Sequence, residues 1–340
     1  MTTARAIGTQ QLPDGCIPWS VGHHADPWDM IEAAMGLDAA GLHREARRAY
    51  GWLADRQRPD GSWAAAYCDG EIIDPTIDAN FVAYAAAGTW HHFLSTGDDR
   101  WLARMWPTIE RSIDLVLDLQ DTSGAILWAR DADYRPWPGA LLTSSSCIYL
   151  SLRAAITIAE RTGNERPDWE LSLASLGRAI ATPKDNFEPK DRYAMDWYYP
   201  ALGGAVEGDD ARHMLARRWD AFVIDERGCR CVDDRPWVTT GETCELVLTC
   251  DLLGLQTEAE QLFGWIHHLR DDDGLYWTGA NYPGGERWPD EKTTWSAGSV
   301  LLAAAALEGD EATLGLFRGT ALAPRPSTAL DPLSDPASQL

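Results

Sequence analysis

Gln57-Arg58-Pro59-Asp60-Gly61-Ser62-Trp63 decides the fold, because its pattern returns along the chain. It reads Gln11-Leu-Pro-Asp-Gly15-Cys-Ile-Pro-Trp19 upstream and Gln120-Asp-Thr-Ser-Gly124-Ala-Ile-Leu-Trp128 downstream. Asp271-Asp-Asp-Gly274-Leu-Tyr-Trp277 is a late copy, and Asp225-Glu-Arg-Gly228 is a weaker one. A sixth turn fits near 184–196, where the glycine is missing. A period of roughly fifty residues is the signature of a repeated supersecondary unit.

Two helical patterns lie between successive turns. The pairs are 28–42 with 44–57, 77–96 with 99–120, and 141–162 with 169–181. The later pairs are 197–206 with 210–222, 240–253 with 257–269, and 292–307 with 311–318. The second helix of a pair is amphipathic, as in Arg44-Glu-Ala-Arg-Arg-Ala-Tyr-Gly-Trp. The first is apolar or small nearly all round, as in Ala297-Gly-Ser-Val-Leu-Leu-Ala-Ala-Ala-Ala-Leu, so it must be buried on every side. Six buried helices ringed by six amphipathic ones make an all-α (α/α)6 toroid over residues 1–320. Residues 321–340, rich in proline and serine, are expected to be a disordered tail.

Composition narrows the function. The 340 residues carry 29 Lys plus Arg against 52 Asp plus Glu, a formal charge of −23. That balance argues against nucleic acid or an anionic membrane as partner, since phosphate rewards basic residues. Residues 1–10 hold no apolar signal core, and the seven cysteines are an odd count, so a reduced cytoplasmic setting is expected. No metal-ligand spacing, phosphate loop or dinucleotide fingerprint occurs, so no metal or cofactor is expected. The partner expected is a neutral small-molecule carbohydrate; oligomeric state stays open.

The Gln-x-x-Asp-Gly-x-Trp phrase resembles the QW motif of squalene–hopene cyclases and prenyltransferase β subunits. Thr96-Gly-Asp-Asp-Arg-Trp-Leu-Ala-Arg-Met-Trp-Pro resembles instead the outer-helix phrase of six-hairpin glycosidases of the glucoamylase and trehalase type. Asp121-Thr-Ser-Gly-Ala-Ile-Leu-Trp and Leu152-Arg-Ala-Ala-Ile-Thr-Ile-Ala-Glu-Arg-Thr-Gly extend that second likeness. It implies a glycoside hydrolase with a carboxylate base just before the last inner helix. The cyclase alternative needs Asp-x-Asp-Asp, and an ionising terpenoid enzyme needs Asp-Asp-x-x-Asp; neither motif is present. An epimerase or lyase on the same toroid is the remaining alternative.

In such a ring the pocket is built by segments leading into the inner helices. Nearly every unit places a carboxylate there, and most place tryptophan. Glycoside hydrolysis needs one protonated and one ionised carboxyl. Asp196, in Met-Asp-Trp-Tyr-Tyr-Pro, is the candidate acid. Glu291, in Trp-Pro-Asp-Glu-Lys-Thr-Thr-Trp, is the candidate base, and Glu242 is the rival for either role. Candidate substrate contacts are Trp28, Asp29, Asp78, Asn80, Trp137, Trp197, Tyr198, Trp237, Glu245 and Trp295. The tryptophans suit stacking on sugar faces, or cation–π contact with a carbocation. Asp26-Pro27 and Asp74-Pro75 read as helix caps, and Thr239-Thr-Gly-Glu242 as a capping box. Asp78 is placed one turn inside its helix, where a polar residue needs a reason.

Overall fold

The computed structural model describes residues 2–183 and 186–325. Six inner helices form a closed ring: α2 (Pro27–Ala39), α4 (Ala79–Thr96), α6 (Leu142–Thr162), α8 (Ala194–Leu202), α10 (Thr240–Leu252) and α12 (Thr294–Glu308). Each packs on the next, and α12 packs back on α2. Glycine permits that closure. A Cβ on Gly36 would lie 2.7 Å from the Gly298 Cα, and one on Gly298 would lie 2.8 Å from the Ala33 Cα. The two helices therefore touch backbone to backbone.

The outer layer is α1 (Thr2–Gln10), α3 (His43–Arg56), α5 (Asp99–Leu117), α7 (Pro167–Ala181), α9 (Gly208–Phe222) and α11 (Gln256–Ile266). Two assignments differ from the sequence reading. Residues 2–10, read only as a polar start, form α1, which packs between α12 and α2 as the sixth outer helix. The helix expected to fill that place, α13 (Glu311–Phe317), instead lies across the base of the ring against α4, α10 and α12. It is too short to line the wall, and it buries Leu316 and Phe317.

The repeat phrase is a clamp between successive outer helices. The Gln57 amide donates to its own turn at the Gly61 carbonyl (3.0 Å) and to the Thr108 carbonyl of α5 (2.8 Å). Gln11 does the same toward Gly15 (2.9 Å) and Glu45 of α3 (2.8 Å), and Gln120 toward Gly124 and Ser172 of α7 (2.9 Å each). Gly61 has φ +93°, and a Cβ there would overlap the Arg111 carbonyl of α5. The motif thus needs glycine for both conformation and clearance. Gly274 abuts Thr2 in the same manner, so the last turn closes onto α1.

The Thr96-Gly-Asp phrase is also structural. Gly97 caps α4 in the left-handed conformation, and Asp98 caps α5 by accepting from the Trp101 amide at 3.0 Å. Ala323 is buried beyond α13, and Ala321 accepts from the Trp90 indole at 2.9 Å. The rest of the expected tail, 326–340, lies outside the described residues.

Short strands stitch the approaches to the inner helices. β1 (Ala66–Cys68) pairs with β2 (Glu71–Asp74), and β5 (Val223–Ile224) with β6 (Gly228–Cys229). β3 (Ile77–Asp78) pairs with β4 (Ala129–Arg130), joining the approaches to α4 and α6. β7 (Trp237–Thr239) pairs with β8 (Gly279–Asn281), which pairs with β9 (Glu286–Arg287), joining those to α10 and α12. Single bridges from Ala25 to Tyr67 and from Tyr193 to Val232 tie in the approaches to α2 and α8, so the starts of all six inner helices share one stitched mouth.

Candidate active site

The mouth is best described from its walls inward. Asp26 has extended backbone (φ −123°) and accepts from the Asp29 amide at 2.9 Å, the cap expected from Asp26-Pro27. That start phases α2 so that Trp28, Asp29 and Glu32 are buried. Trp28 stacks on Tyr84 of α4 at 5.3 Å and meets Trp295 of α12 edge-on at 5.7 Å. Trp295 covers Gly241, where a Cβ would collide with its ring. A tryptophan wall thus runs from α2 across α12 to α10, the helix of Glu242.

One turn deeper the carboxylates are held by phenols. The Tyr84 hydroxyl donates to Glu32 at 2.6 Å. The Tyr198 and Tyr199 hydroxyls both donate to Glu245. Between these groups lies a void of about 10 Å³, floored by Phe317 of α13 and walled on one side by Cys147. It holds at most one water.

Burial controls the protonation of this cluster. Desolvation lifts Glu32 to about 7 against the opposing pull of the Tyr84 hydrogen bond. Burial first, and then the nearby Glu32, lifts Glu245 well above the carboxylate range. Asp29 is raised strongly too, by burial and then by Asp26, Glu32 and Glu245. Like charges so close cannot all ionise, so the cluster keeps protons near neutral pH.

Asp78 corrects the sequence reading. It is the N-cap of α4, accepting from the Asn80 amide (2.8 Å) and the Phe81 amide (3.2 Å). The two residues Ile77 and Asp78 are taken up by β3, which delays the helix. Asp74, expected to be that cap, accepts from Thr76 in a turn at 3.0 Å. Burial still lifts Asp78 to about 7. Among the described residues the Asn80 side-chain oxygen beside it is buried without a hydrogen-bond partner.

The capping box at Thr239 does not form. Thr239 stands at the N-cap but makes no side-chain cap, and among the described residues its hydroxyl has no partner. Glu242 is therefore not spent on its own helix start. It is buried near the mouth, at 6% exposure, and its charge acts on Tyr198 and Cys231.

Asp196 and Trp197 stand apart from this cluster. Asp196 accepts from the Thr143 amide (3.2 Å) and hydroxyl (2.5 Å), so it caps the neighbouring helix α6, which has no cap of its own. Burial raises it, opposed by Thr143. Its other face lines an outer cleft with Asp210, His213 and Arg217 of α9. Trp197 stacks on Phe222 of α9 at 5.0 Å and donates to the Met214 carbonyl at 3.1 Å. Both side chains thus serve the packing of α8 against its neighbours.

Glu291 is half-buried in the approach to α12. Its carbonyl accepts from the Thr278 amide (3.1 Å) and hydroxyl (3.2 Å). Among the described residues its hydrogen bonds run through backbone, and none joins its carboxylate to Asp196. Trp237 sits higher on the rim, meeting Trp288 edge-on at 4.7 Å and donating to its carbonyl at 2.8 Å. Trp137 is exposed and meets Trp128 at 4.9 Å. The exposed aromatics Tyr134, Trp137, Tyr193 and Trp288 all lie on these approach segments. Glu32 and Tyr199 also stand at the helix entries that the sequence marks, though outside the named candidates, and Tyr84 is absent from that reading. The signal for them is their place one turn below residues already chosen.

This arrangement is a helical ring whose mouth combines protonated carboxyls, a tryptophan wall and an aromatic rim. No protein-family model matches the chain. Solved structures of the same fold include a glycosidase in complex with glucose (TM-score 0.74, 16% identity, 90% of this chain and 95% of that one). They also include a GH63 mannosylglycerate hydrolase from Thermus thermophilus (0.72, 12%, 88% and 98%) and a D-mannose isomerase (0.66, 12%, 90% and 95%). Fold and sequence together define a glycoside hydrolase of the (α/α)6 class. A curated relative, the MMP endo-(1,4)-3-O-methyl-α-D-mannosidase of Mycolicibacterium hassiacum, is 48% identical over 320 residues, 94% of this chain and 89% of its own length. The chain belongs to the family of that mannosidase.

Proposed function

We propose that this glycoside hydrolase cleaves internal 1,4 links between 3-O-methyl-α-D-mannose units, with Asp29 as general acid and Glu242 as general base. The observation that carries the substrate is the 48% identity to an endo-mannosidase over nearly the whole chain. The rim supports it. An endo enzyme must let the polymer leave the mouth on both sides, and methyl ethers add apolar surface to each sugar. Trp137, Trp288, Tyr134 and the exposed Ile72 and Ile73 of β2 offer matching contacts.

Asp29 suits the acid because its environment keeps it protonated. It donates its proton to the glycosidic oxygen as the C1–O bond breaks. Glu242 takes a proton from water, whose oxygen bonds to C1 from the opposite face. The products are two shorter chains, and the anomeric configuration inverts. Inversion requires the two carboxyl groups roughly 6.5–9.5 Å apart. The helices that carry them, α2 and α10, flank α12 on either side.

The test is hydrolysis of 3-O-methylmannose oligosaccharides and of unmethylated mannan, followed by mass spectrometry and by proton NMR of the first turnover. Mid-length fragments of the methylated chain with an inverted reducing end are expected. Release of single sugars from one end, or retention of configuration, would refute the reading.

A further inference from the structure

The glutamine clamp ties α1 to α3, α3 to α5 and α5 to α7. The phrase after α9, Asp225-Glu-Arg-Gly228, has no glutamine to reach onward to α11. The wall opens at that place. α9 packs chiefly on α8 and β5, whereas α1, α3 and α5 each bridge two inner helices. The gap between α9 and α11 is a cleft of about 720 Å³, within the usual range for small-ligand sites.

Its lining joins aromatic and acidic side chains. Trp219 and Trp265 stand half-buried on facing helices, with Leu215 and Leu255 between them. Among the described residues neither indole nitrogen has a hydrogen-bond partner. Exposed Asp220, Asp225 and Gln261 edge the cleft, together with the half-buried Glu258. Arg212, the cation at its margin, is engaged by the Leu253 carbonyl (2.8 and 3.1 Å) and by Asp209 (3.0 Å). Among the described residues Asp220, Asp225 and Glu258 form no ion pair, and with a chain charge of −23 they disfavour an anionic ligand. Flat apolar faces beside hydrogen-bonding carboxylates and an amide fit a neutral polyhydroxylated chain.

We propose that the cleft between α9 and α11 is a second saccharide-binding surface, separate from the mouth, which holds a remote stretch of the same polymer. The inference rests on the reading that the substrate is a long chain. Tethering at a second site raises the effective concentration of the polymer at the mouth without altering the chemistry there.

The experiment uses the full chain and 3-O-methylmannose oligosaccharides of four and of twelve units. Trp265→Ala is expected to raise KM about tenfold for the twelve-unit chain and to leave its kcat alone. In this reading the four-unit chain occupies the mouth alone, so it reports any general damage to the fold. Gln261→Ala, at an exposed position, should give a smaller rise of the same kind. Independently, the Asp29→Asn protein with 15N-labelled indoles is titrated with the twelve-unit chain, and shifts of the Trp219 and Trp265 signals are expected. Such shifts support the cleft even if the wild-type protein fails to cleave that chain. Cleavage without shifts overturns the cleft and leaves the hydrolase reading intact. Neither cleavage nor shifts overturns both. A dimer that Trp265→Ala dissociates in sedimentation would show a second copy in the cleft and overturn the proposal.

Discussion

Glu32 gives the sharpest test of the buried acid cluster. Its carboxyl is fully enclosed and titrates at about 7, against an ordinary value of 4.5. The unfolded chain leaves that group near its ordinary value, so between those two pH values the native state binds the extra proton. The stabilisation linked to that proton is fully present below pH 4.5 and is lost as pH rises through 7. At about 1.4 kcal/mol for each pH unit of displacement, the loss is about 3 kcal/mol by pH 8. Glu32→Gln keeps an oxygen to accept from Tyr84 and carries no charge. Any fixed cost of the new amide is the same at every pH, so the informative quantity is the difference between variant and wild type. Urea unfolding at pH 4.5 and pH 8 measures it. The variant should gain about 3 kcal/mol on the wild type between the two conditions. Relief of Glu245, which Glu32 also pushes up, adds in the same direction. A difference that stays constant within about 1 kcal/mol would refute the burial argument.

Four further outcomes follow from the geometry. Asp29→Asn and Glu242→Gln should each lower kcat by at least about a hundredfold with little change in thermal midpoint, whereas Glu291→Gln should keep most of the turnover; steady-state rates on the methylated chain check this. Asp196→Asn should cost about 1 kcal/mol of stability, through the start of α6, with kcat changed by less than about threefold, as seen in urea unfolding beside activity. Gly61→Ala should destabilise by at least about 2 kcal/mol because of its positive φ and the Arg111 carbonyl. Gly51→Ala, in the middle of α3 with open space at its Cβ, should be neutral or stabilise by about 0.5 kcal/mol in the same melts.

The helix rhythm was readable because a ring of hairpins writes itself into the chain twice. Inner helices such as α12 are apolar on every side, and the turns between hairpins share one glycine-and-glutamine chemistry. The likeness to six-hairpin glycosidases pointed to hydrolysis, and the relationship to a mannosidase agrees with it. The site was harder to read. Listing residues near helix starts gathered Trp28, Asp29, Tyr198, Glu242, Glu245 and Trp295, which the structure buries around the starts of the inner helices. The same list included Trp197, which turns outward to Phe222, and Asp196, which caps a neighbour. One residue along a helix is a rotation of about 100°, so the exact start of each helix decides which side chain meets the axis.

That is the division between the two levels. Periodicity, turn chemistry and composition determined by themselves that the chain forms an acidic, tryptophan-rich helical toroid, because these depend only on neighbours along the chain. Tertiary structure decided which helix closes the ring, since α1 takes the place that 311–318 was expected to fill. It also decided which carboxyls keep their protons. Protonation depends on desolvation and on charges from α2 and α10 brought together at the axis, and no spacing within one segment encodes that meeting.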